Sequence, residues 1–260
     1  MIRNEVTMTP TIYPSLADRV VFITGGATGI GAAMVRAFAA NHAHVAFVDI
    51  DTDAAEVLRL ELTGARHAPV FLRCDLTDIA ALQAAMREAA QRLGPMAVLV
   101  NNAANDERHD VDAVTAEYWD RAMAVNLRHQ FFAAQAAAAQ MRAQGGGSII
   151  NFSSIAWMAG GTRMVAYASA KAAVVGMTRS LAREFGADNI RVNAIAPGAV
   201  ITPRQLRLWL SETDVDAIVA RQCLHTRLSP EHIARTALFL AADDSAMVTK
   251  QCLTVDAGLR

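Results

Sequence analysis

Short apolar runs rich in β-branched residues recur along the chain, with helix-period segments between them. RVVFIT (19–24) has the pattern of a fully buried strand. HVAFVD (44–49), PVFLRC (69–74), MAVLVN (96–101), SIINFS (148–153), IRVNAIAPG (190–198) and QCLTVD (251–256) follow as further strands, the sixth with its turn. After the first strand, Met34, Val35, Ala37 and Phe38 return at helical spacing. Helices are predicted over 79–93, with Thr77 and Asp78 as cap, over 115–143, over 165–186 and over 228–244. The glycines at 145–147 stop the second of these. Alternation of strand and helix predicts an α/β fold with a parallel, doubly wound sheet. One domain is expected across 1–260, with a partly loose tail at 1–15 and a loop-and-helix segment at 203–227.

Composition narrows the function classes. Of 260 residues, 53% are hydrophobic and 19% charged, as in a well-buried globular protein. The net charge of −1 offers no electrostatic grip on nucleic acid or anionic membranes. Cys74, Cys223 and Cys252 are scattered and lack metal-ligand spacing. A reduced, cytoplasmic chain without a metal is therefore expected. The opening MIRNEVTMTPTIYPSLADR contains no apolar core of a signal peptide. No apolar run reaches the ~18 residues of a membrane span.

Candidate chemistry begins at TGGATGIG (24–31), a glycine-rich turn between strand and helix. Gly25, Gly29 and Gly31 let the backbone turn tightly and approach a ligand, and the helix beyond offers free N–H groups to a pyrophosphate. The second strand ends in Asp49, near the distance at which an acidic residue meets an adenosine ribose. A carboxylate there accepts from the ribose hydroxyls and repels a 2′-phosphate. Thr28 in the turn and Ile50 after the aspartate add no basic group, so NAD is expected over NADP. Asp49 alternatively caps the next helix, a task that Asp51 or Thr52 is equally placed to perform. Asp75, followed by Leu76, either contacts adenine or closes a turn. The fourth strand ends in Asn101-Asn102-Ala103-Ala104, small residues suited to backbone close to a cofactor.

Ser154 lies thirteen residues before Tyr167, and Lys171 follows four residues after the tyrosine, amid alanines that favour helix. Residues i and i+4 share a helix face, so the ammonium is expected beside the phenol. A nearby positive charge favours phenolate and lowers the pKa of a potential general base. By itself Tyr-x-x-x-Lys also fits a plain core helix.

In order along the chain, TGGATGIG, Asp75-Leu76, NNA (101–103), Asn126, Ser154, Tyr167-x-x-x-Lys171 and Pro197-Gly198 with Thr202 resemble the short-chain dehydrogenase/reductase family. The resemblance runs from Leu16 to the C-terminus and implies a Rossmann-type sheet of seven strands ordered 3-2-1-4-5-6-7. It implies Tyr167 as base, Ser154 as holder of the reacting oxygen, and Lys171 as ribose ligand. Asn126 would support a water relay from Lys171. Cofactor contacts are implied for Gly25, Thr28, Gly29, Ile30, Gly31, Asp49, Asp75, Leu76, Asn102, Ala103, Tyr167, Lys171, Pro197, Gly198, Val200 and Thr202. A homotetramer built on helices 115–143 and 165–186 is implied as well. The chain departs from the pattern at Ala104, at Asp256-Ala257-Gly258 and at Lys250, where the family commonly carries NNAG, DGG and a glycine.

A narrower resemblance bears on substrate. IYPSL (12–16), NDERH (105–109), VNLRH (125–129), INFSSIAW (150–157), QCL (222–224) and DAGLR (256–260) are similar to bacterial D-xylose 1-dehydrogenases and related aldose 1-dehydrogenases. That implies NAD-linked oxidation of C1 of an aldopyranose, D-xylose or L-arabinose first, to the lactone. A sugar needs many polar partners. Asn105, Asp106, Arg108 and His109 supply them, or form an exposed or subunit-facing loop instead. Trp157 is either a site wall or core. Arg128 and His129 are expected to bond within or between helices. The competing readings are a dehydrogenase of another secondary alcohol, with apolar walls, and a non-catalytic NAD-binding regulator, which would be expected to lack one of Ser154, Tyr167 or Lys171.

Overall fold

The computed structural model describes residues 10–260. The strands are β1 (Val20–Thr24), β2 (His44–Asp49), β3 (Val70–Arg73), β4 (Met96–Asn101), β5 (Gly147–Phe152), β6 (Ile190–Pro197) and β7 (Cys252–Val255). They form one sheet in the expected order, β3-β2-β1-β4-β5-β6-β7, and all neighbours are parallel. The helices are α1 (Gly29–Ala40), α2 (Thr52–Glu61), α3 (Ile79–Leu93), α4 (Ala116–Met123), α5 (His129–Ala143), α6 (Ala156–Ala159), α7 (Val165–Phe185), α8 (Pro203–Leu208), α9 (Glu212–Arg221) and α10 (Pro230–Ala241).

Side chains alternate across the sheet and build a core on each face. Val21, Ile23, Val45, Phe47, Val98 and Val100 pack under α1 and α10, against Phe38, Ile233 and Leu238. Phe22, Ala46, Val48 and Leu99 pack on the other face, against Leu82 and Met86 of α3 and the alanines of α5. Because both faces are covered, the strands are apolar throughout, which is why they stand out as continuous runs.

Two local features depart from the sequence expectation. The helix expected over 115–143 is interrupted by a π-helical turn, Ala124–Arg128, between α4 and α5. Asn126 sits in that turn, and its Nδ2 donates to the Ala122 carbonyl at 3.0 Å. Such bulges place a side chain that regular α geometry would aim elsewhere. The tail expected at 1–15 falls partly on residues 1–9, outside the described residues. Its remainder is held in place. Tyr13 N donates to Asn41 Oδ1 at 2.7 Å, Asn41 Nδ2 donates to Thr11 O at 3.0 Å, and Asp243 N donates to Ser15 Oγ at 3.1 Å.

The three cysteines are free. No helix among the described residues is long and apolar enough to cross a membrane.

Two of the departures from the family pattern acquire a physical meaning. Lys250 and Ala257 both lie in the left-handed region, with φ of 65° and 55°. A side chain there brings Cβ against the backbone, which a glycine avoids. Ala257→Gly is expected to stabilise the protein by about 0.5–1 kcal/mol, the relieved strain less the extra freedom of the unfolded chain. The readout is the urea midpoint at unchanged slope. A midpoint that stays put or falls would mean the alanine carries no strain.

Candidate active site

The C-terminal ends of β1, β4, β5 and β6 converge, and the sequence-predicted residues gather there. At the end of β1, Thr24 Oγ1 accepts from the backbone N–H groups of Asn102 and Ala103 at 3.0 and 3.1 Å. Asn102 Nδ2 donates back to Thr24 O and Gly25 O at 3.0 and 2.9 Å. The glycine turn is thus stitched to the end of β4. Gly25 and Gly29 take φ of 66° and 53°. A Cβ on Gly31 would stand 1.8 Å from the Gly25 carbonyl oxygen, so only glycine lets α1 start this close to the turn. Thr28 precedes α1 without capping it through its side chain. The first N–H groups of α1 keep their positive potential for an anion. Ile30 packs into the core beside this turn.

Asp49 is not the cap of α2; Asp51 is, accepting from Ala54 N at 3.0 Å. Asp49 instead faces the turn. Its Oδ2 accepts from Ala27 N at 2.9 Å, while Oδ1 accepts from Ile50 N and Asp51 N. A fixed carboxylate beside a glycine cradle and a helix N-terminus fits a dinucleotide, adenosine ribose at Asp49 and pyrophosphate at the turn. Asp75 closes a turn through Oδ1, which accepts from Thr77 N and Thr77 Oγ1 at 2.9 and 2.8 Å. Leu76 packs against the core. On the far side, Gly198 presses on Asp256, whose Cα would lie 2.7 Å from an added Cβ. Pro197 O accepts from Ile155 N, Val200 N donates to Gly198 O, and Thr202 Oγ1 caps α8. The Thr202 methyl lies against Gly29, 3.5 Å from where a Cβ would stand.

Ser154 follows β5, and Tyr167 and Lys171 share one face of α7. The Ser154 side chain neighbours the Tyr167 hydroxyl and eases its ionisation. Lys171 is 1% exposed, and its Nζ donates to Phe152 O at 2.8 Å while lying 5.7 Å from the centre of the Tyr167 ring. Burial pushes the Tyr167 pKa up to about 12, and Ser154 counters only part of that. Burial likewise pushes Lys171 down to about 7, with the Asp106 carboxylate opposing it. Without a cofactor, desolvation is the largest influence on the phenol, and the Lys171 ammonium is turned to the Phe152 carbonyl.

The polar segment after β4 divides by role. Asp106 is engaged by the loop after β6: Arg204 Nη1 donates to its Oδ1, and Gln205 Nε2 donates to its Oδ2 at 2.8 Å. Arg204 Nη2 also donates to Asn105 Oδ1 at 2.8 Å. Asp106 is held below the usual carboxylate range, burial raising its pKa and these hydrogen bonds lowering it. His109 turns to Tyr118, whose hydroxyl lies 2.9 Å from Nδ1, and its backbone N–H donates to Arg163 O. Arg108 lies over the ring of Trp209, 5.7 Å from its centre. Trp157 Nε1 donates to Ser153 Oγ at 3.1 Å, and its ring remains 37% exposed. Arg128 donates to Thr77 O and His129 Nε2 lies 3.2 Å from Ala103 O, contacts to loop carbonyls rather than within or between helices. Burial pushes His129 down to about 3, so it is neutral. Thr24, Arg204, Gln205 and Trp209 were not singled out in sequence. Arg204 and Gln205 meet their partners across 98 and 99 residues, a distance no local pattern encodes.

Away from this end, ligand atoms of Asp18, His44 and His67 lie within 4.8 Å of one another. Asp18 is already bonded to His67 at 2.7 Å and to Arg66 at 3.1 Å, so the protein itself balances its charge.

Comparison with known proteins decides the family. Residues 25–260 match a family model described as enoyl-(acyl carrier protein) reductase. A short-chain type dehydrogenase/reductase from Mycobacterium ulcerans superposes with a TM-score of 0.89 at 28% identity, covering 94% of this chain and 90% of that one. The chain belongs to the short-chain dehydrogenase/reductase family. It is similar to a probable galactose dehydrogenase of Rhizobium meliloti, 48% identical over 98% of this chain and 100% of that protein. It is also similar to a D-xylose 1-dehydrogenase of Caulobacter vibrioides, 46% identical over 97% of this chain and 100% of that protein. As a short-chain dehydrogenase/reductase it is an oxidoreductase acting on a CH–OH group with a nicotinamide cofactor.

In this short-chain dehydrogenase, Asn126 supports the segment after β4. Its Oδ1 accepts from Asn105 N at 2.9 Å and its Nδ2 donates to Asn105 O at 3.1 Å. Asn126→Ala leaves both Asn105 backbone groups without their partner. It should cost about 1–3 kcal/mol and speed amide exchange at Asn105 ahead of the β4 amides. Unchanged exchange there would show that the loop is held by other contacts.

Proposed function

We propose that the protein is an NAD-dependent aldose 1-dehydrogenase that oxidises C1 of an aldopyranose to the aldonolactone. The observation that carries the reading is the Ser154–Tyr167 pair set beside charged and polar side chains rather than apolar walls. Asp106, Arg108 and Arg204 all act electrostatically on Tyr167. The relatives named for D-xylose and galactose match this chain along nearly its whole length, which supports a sugar as substrate. D-Xylose and L-arabinose are the first candidates, with D-galactose beside them.

Tyr167 acts as general base. It takes the proton of the anomeric hydroxyl while Ser154 holds the same oxygen by a hydrogen bond. A nicotinamide held there would supply the hydride acceptor for C1 and a positive charge. Gly25, Thr28, Gly29, Ile30, Gly31, Asn102 and Ala103 form its pyrophosphate side. Asp49 meets the adenosine ribose, while Asp75 and Leu76 border the adenine. Lys171 holds the nicotinamide ribose, and Pro197, Gly198, Val200 and Thr202 flank the carboxamide. Asn126 acts by holding Asn105 in place, and any water relay from Lys171 must pass side-chain atoms that already have protein partners. Exposed Trp119, Phe131 and Val165 on α4, α5 and α7 support a homotetramer through those helices, readable by sedimentation.

Each of the aldoses should be oxidised with NAD, the lactone appearing before the acid, whereas activity confined to acyl thioesters or steroids would eliminate the reading. Asp49→Ala should erode the preference for NAD over NADP by removing charged acceptors worth ~1.5–3 kcal/mol each. A native enzyme that favours NADP would refute the role given to Asp49. Tyr167→Phe should cut kcat by ~10²–10⁴ with the fold intact. Because the base works deprotonated, kcat is low below its pKa and level above it. With cofactor bound, that step should lie well below the value of about 12 that burial imposes. Lys171→Ala should move the step to higher pH and weaken NAD binding, whereas an unmoved step would show that the lysine only binds ribose.

A further inference from the structure

Among the described residues, few buried side-chain nitrogens lack a hydrogen-bond partner, and two of them belong to one stacked pair: Arg108 Nε and Trp209 Nε1. We infer that Arg108 and Trp209 form a donor-only wall that grips sugar hydroxyl oxygens. This rests on the aldose reading and names the residues that would read the sugar.

Trp209 ends α8, and its backbone N–H donates to Gln205 O at 2.9 Å. Gln205 and Arg204 in turn hold Asp106, so the tryptophan is fixed relative to the segment after β4. Arg108 stacks on it at 5.7 Å, and its Nη1 lies 3.8 Å from Sδ of Met164, the N-cap of α7, three positions before Tyr167. The wall therefore stands at the end of α7 that carries Tyr167. The carboxylate that would ordinarily pair with Arg108 is Asp106, but both its oxygens are engaged by Arg204 and Gln205. The remaining neighbour of the guanidinium is Met164 Sδ, a weak acceptor, at 3.8 Å from Nη1. A buried donor without a partner is costly, and a ligand oxygen relieves that cost. Trp157 offers a contrast: its indole N–H already has Ser153 Oγ. Guanidinium and indole present N–H groups and no acceptor, so they select for oxygen lone pairs. A polyhydroxylated ring has those at several adjacent carbons. Substrates that lack one of the gripped hydroxyls leave the donors unpaired, which is how such sites discriminate.

The test compares the unaltered enzyme with Trp209→Phe, which keeps the ring and loses the N–H, and with Arg108→Lys, which keeps the charge and loses the planar fork. Each is assayed with the best aldose and its monodeoxy analogues, and thermal unfolding by circular dichroism checks the fold. Trp209→Phe should raise KM roughly three- to tenfold, and Arg108→Lys ~tenfold or more, with kcat nearly kept. At least one monodeoxy sugar should be penalised by the unaltered enzyme and not further penalised by Trp209→Phe. If the unaltered enzyme oxidises aldoses and both variants keep its KM, the wall is wrong and the aldose reading stands. Equal deoxy penalties in the unaltered and Trp209→Phe enzymes also overturn the wall. If the unaltered enzyme oxidises no aldose, both readings fall together.

Discussion

The site depends on a double tie between the end of β5 and α7. Lys171 Nζ donates to Phe152 O at 2.8 Å, and Ser153 Oγ donates to Lys171 O at 2.7 Å. The chain leaves the sheet at Ser153-Ser154, passes through α6, and returns along α7. Without the tie, nothing local would set the height of Tyr167 relative to Ser154. With it, a residue on a strand end and one on a helix come together. Lys171 is deeply buried, and its Nζ donates to a backbone carbonyl, so position is bought with an ammonium that is easily neutralised. That is the physical reason for its depressed pKa.

The same logic extends outward in layers. Asn151, on the strand next to the tie, donates to Thr178 of α7 at 3.0 Å and accepts from Asn101 of β4 at 2.9 Å. One residue further on, Asn102 and Thr24 link β4 to β1 and the glycine turn. Buried polar side chains thus run across the strand ends from α7 to the dinucleotide turn. Hydrogen bonds link them in pairs and the strands themselves carry the series between pairs, while Asn101 Oδ1 stays without a partner. The glycine turn and the Tyr167–Ser154 pair are therefore held from the same row of strand ends.

Legibility in the sequence follows from the range of the interaction concerned. Strands buried on both faces are continuous apolar runs, and β2 and β4 begin and end where the runs do. Glycine positions report a backbone demand, and so do Lys250 and Ala257, where left-handed φ persists without glycine. The π-helical turn at Asn126 was not legible, because alanine-rich sequence on both sides fits a regular helix. It is sustained by a bond to Asn105, 21 residues away. The role of Asp106 was hidden for the same reason. As a residue type it reads as a sugar ligand; its meeting with Arg204 and Gln205 adds a role in holding the loop. The burial around Tyr167 was hidden too, because i+4 spacing reveals a neighbour but not the depth of burial.

That meeting also has an electrostatic consequence at the base. Asp106 favours the protonated form of Tyr167, whereas Arg108 and Arg204 favour the phenolate. Asp106 also favours the charged form of Lys171. With Arg204 on the carboxylate, part of the field of Asp106 is opposed at short range, and Arg108 opposes it further. Were the α8 segment drawn away, Arg204 would leave with it and Asp106 would be opposed by Arg108 alone. The phenol would then be harder to ionise. The contact that joins the segment after β4 to α8 is thus also a contact that acts on the Tyr167 phenol, through one ion pair.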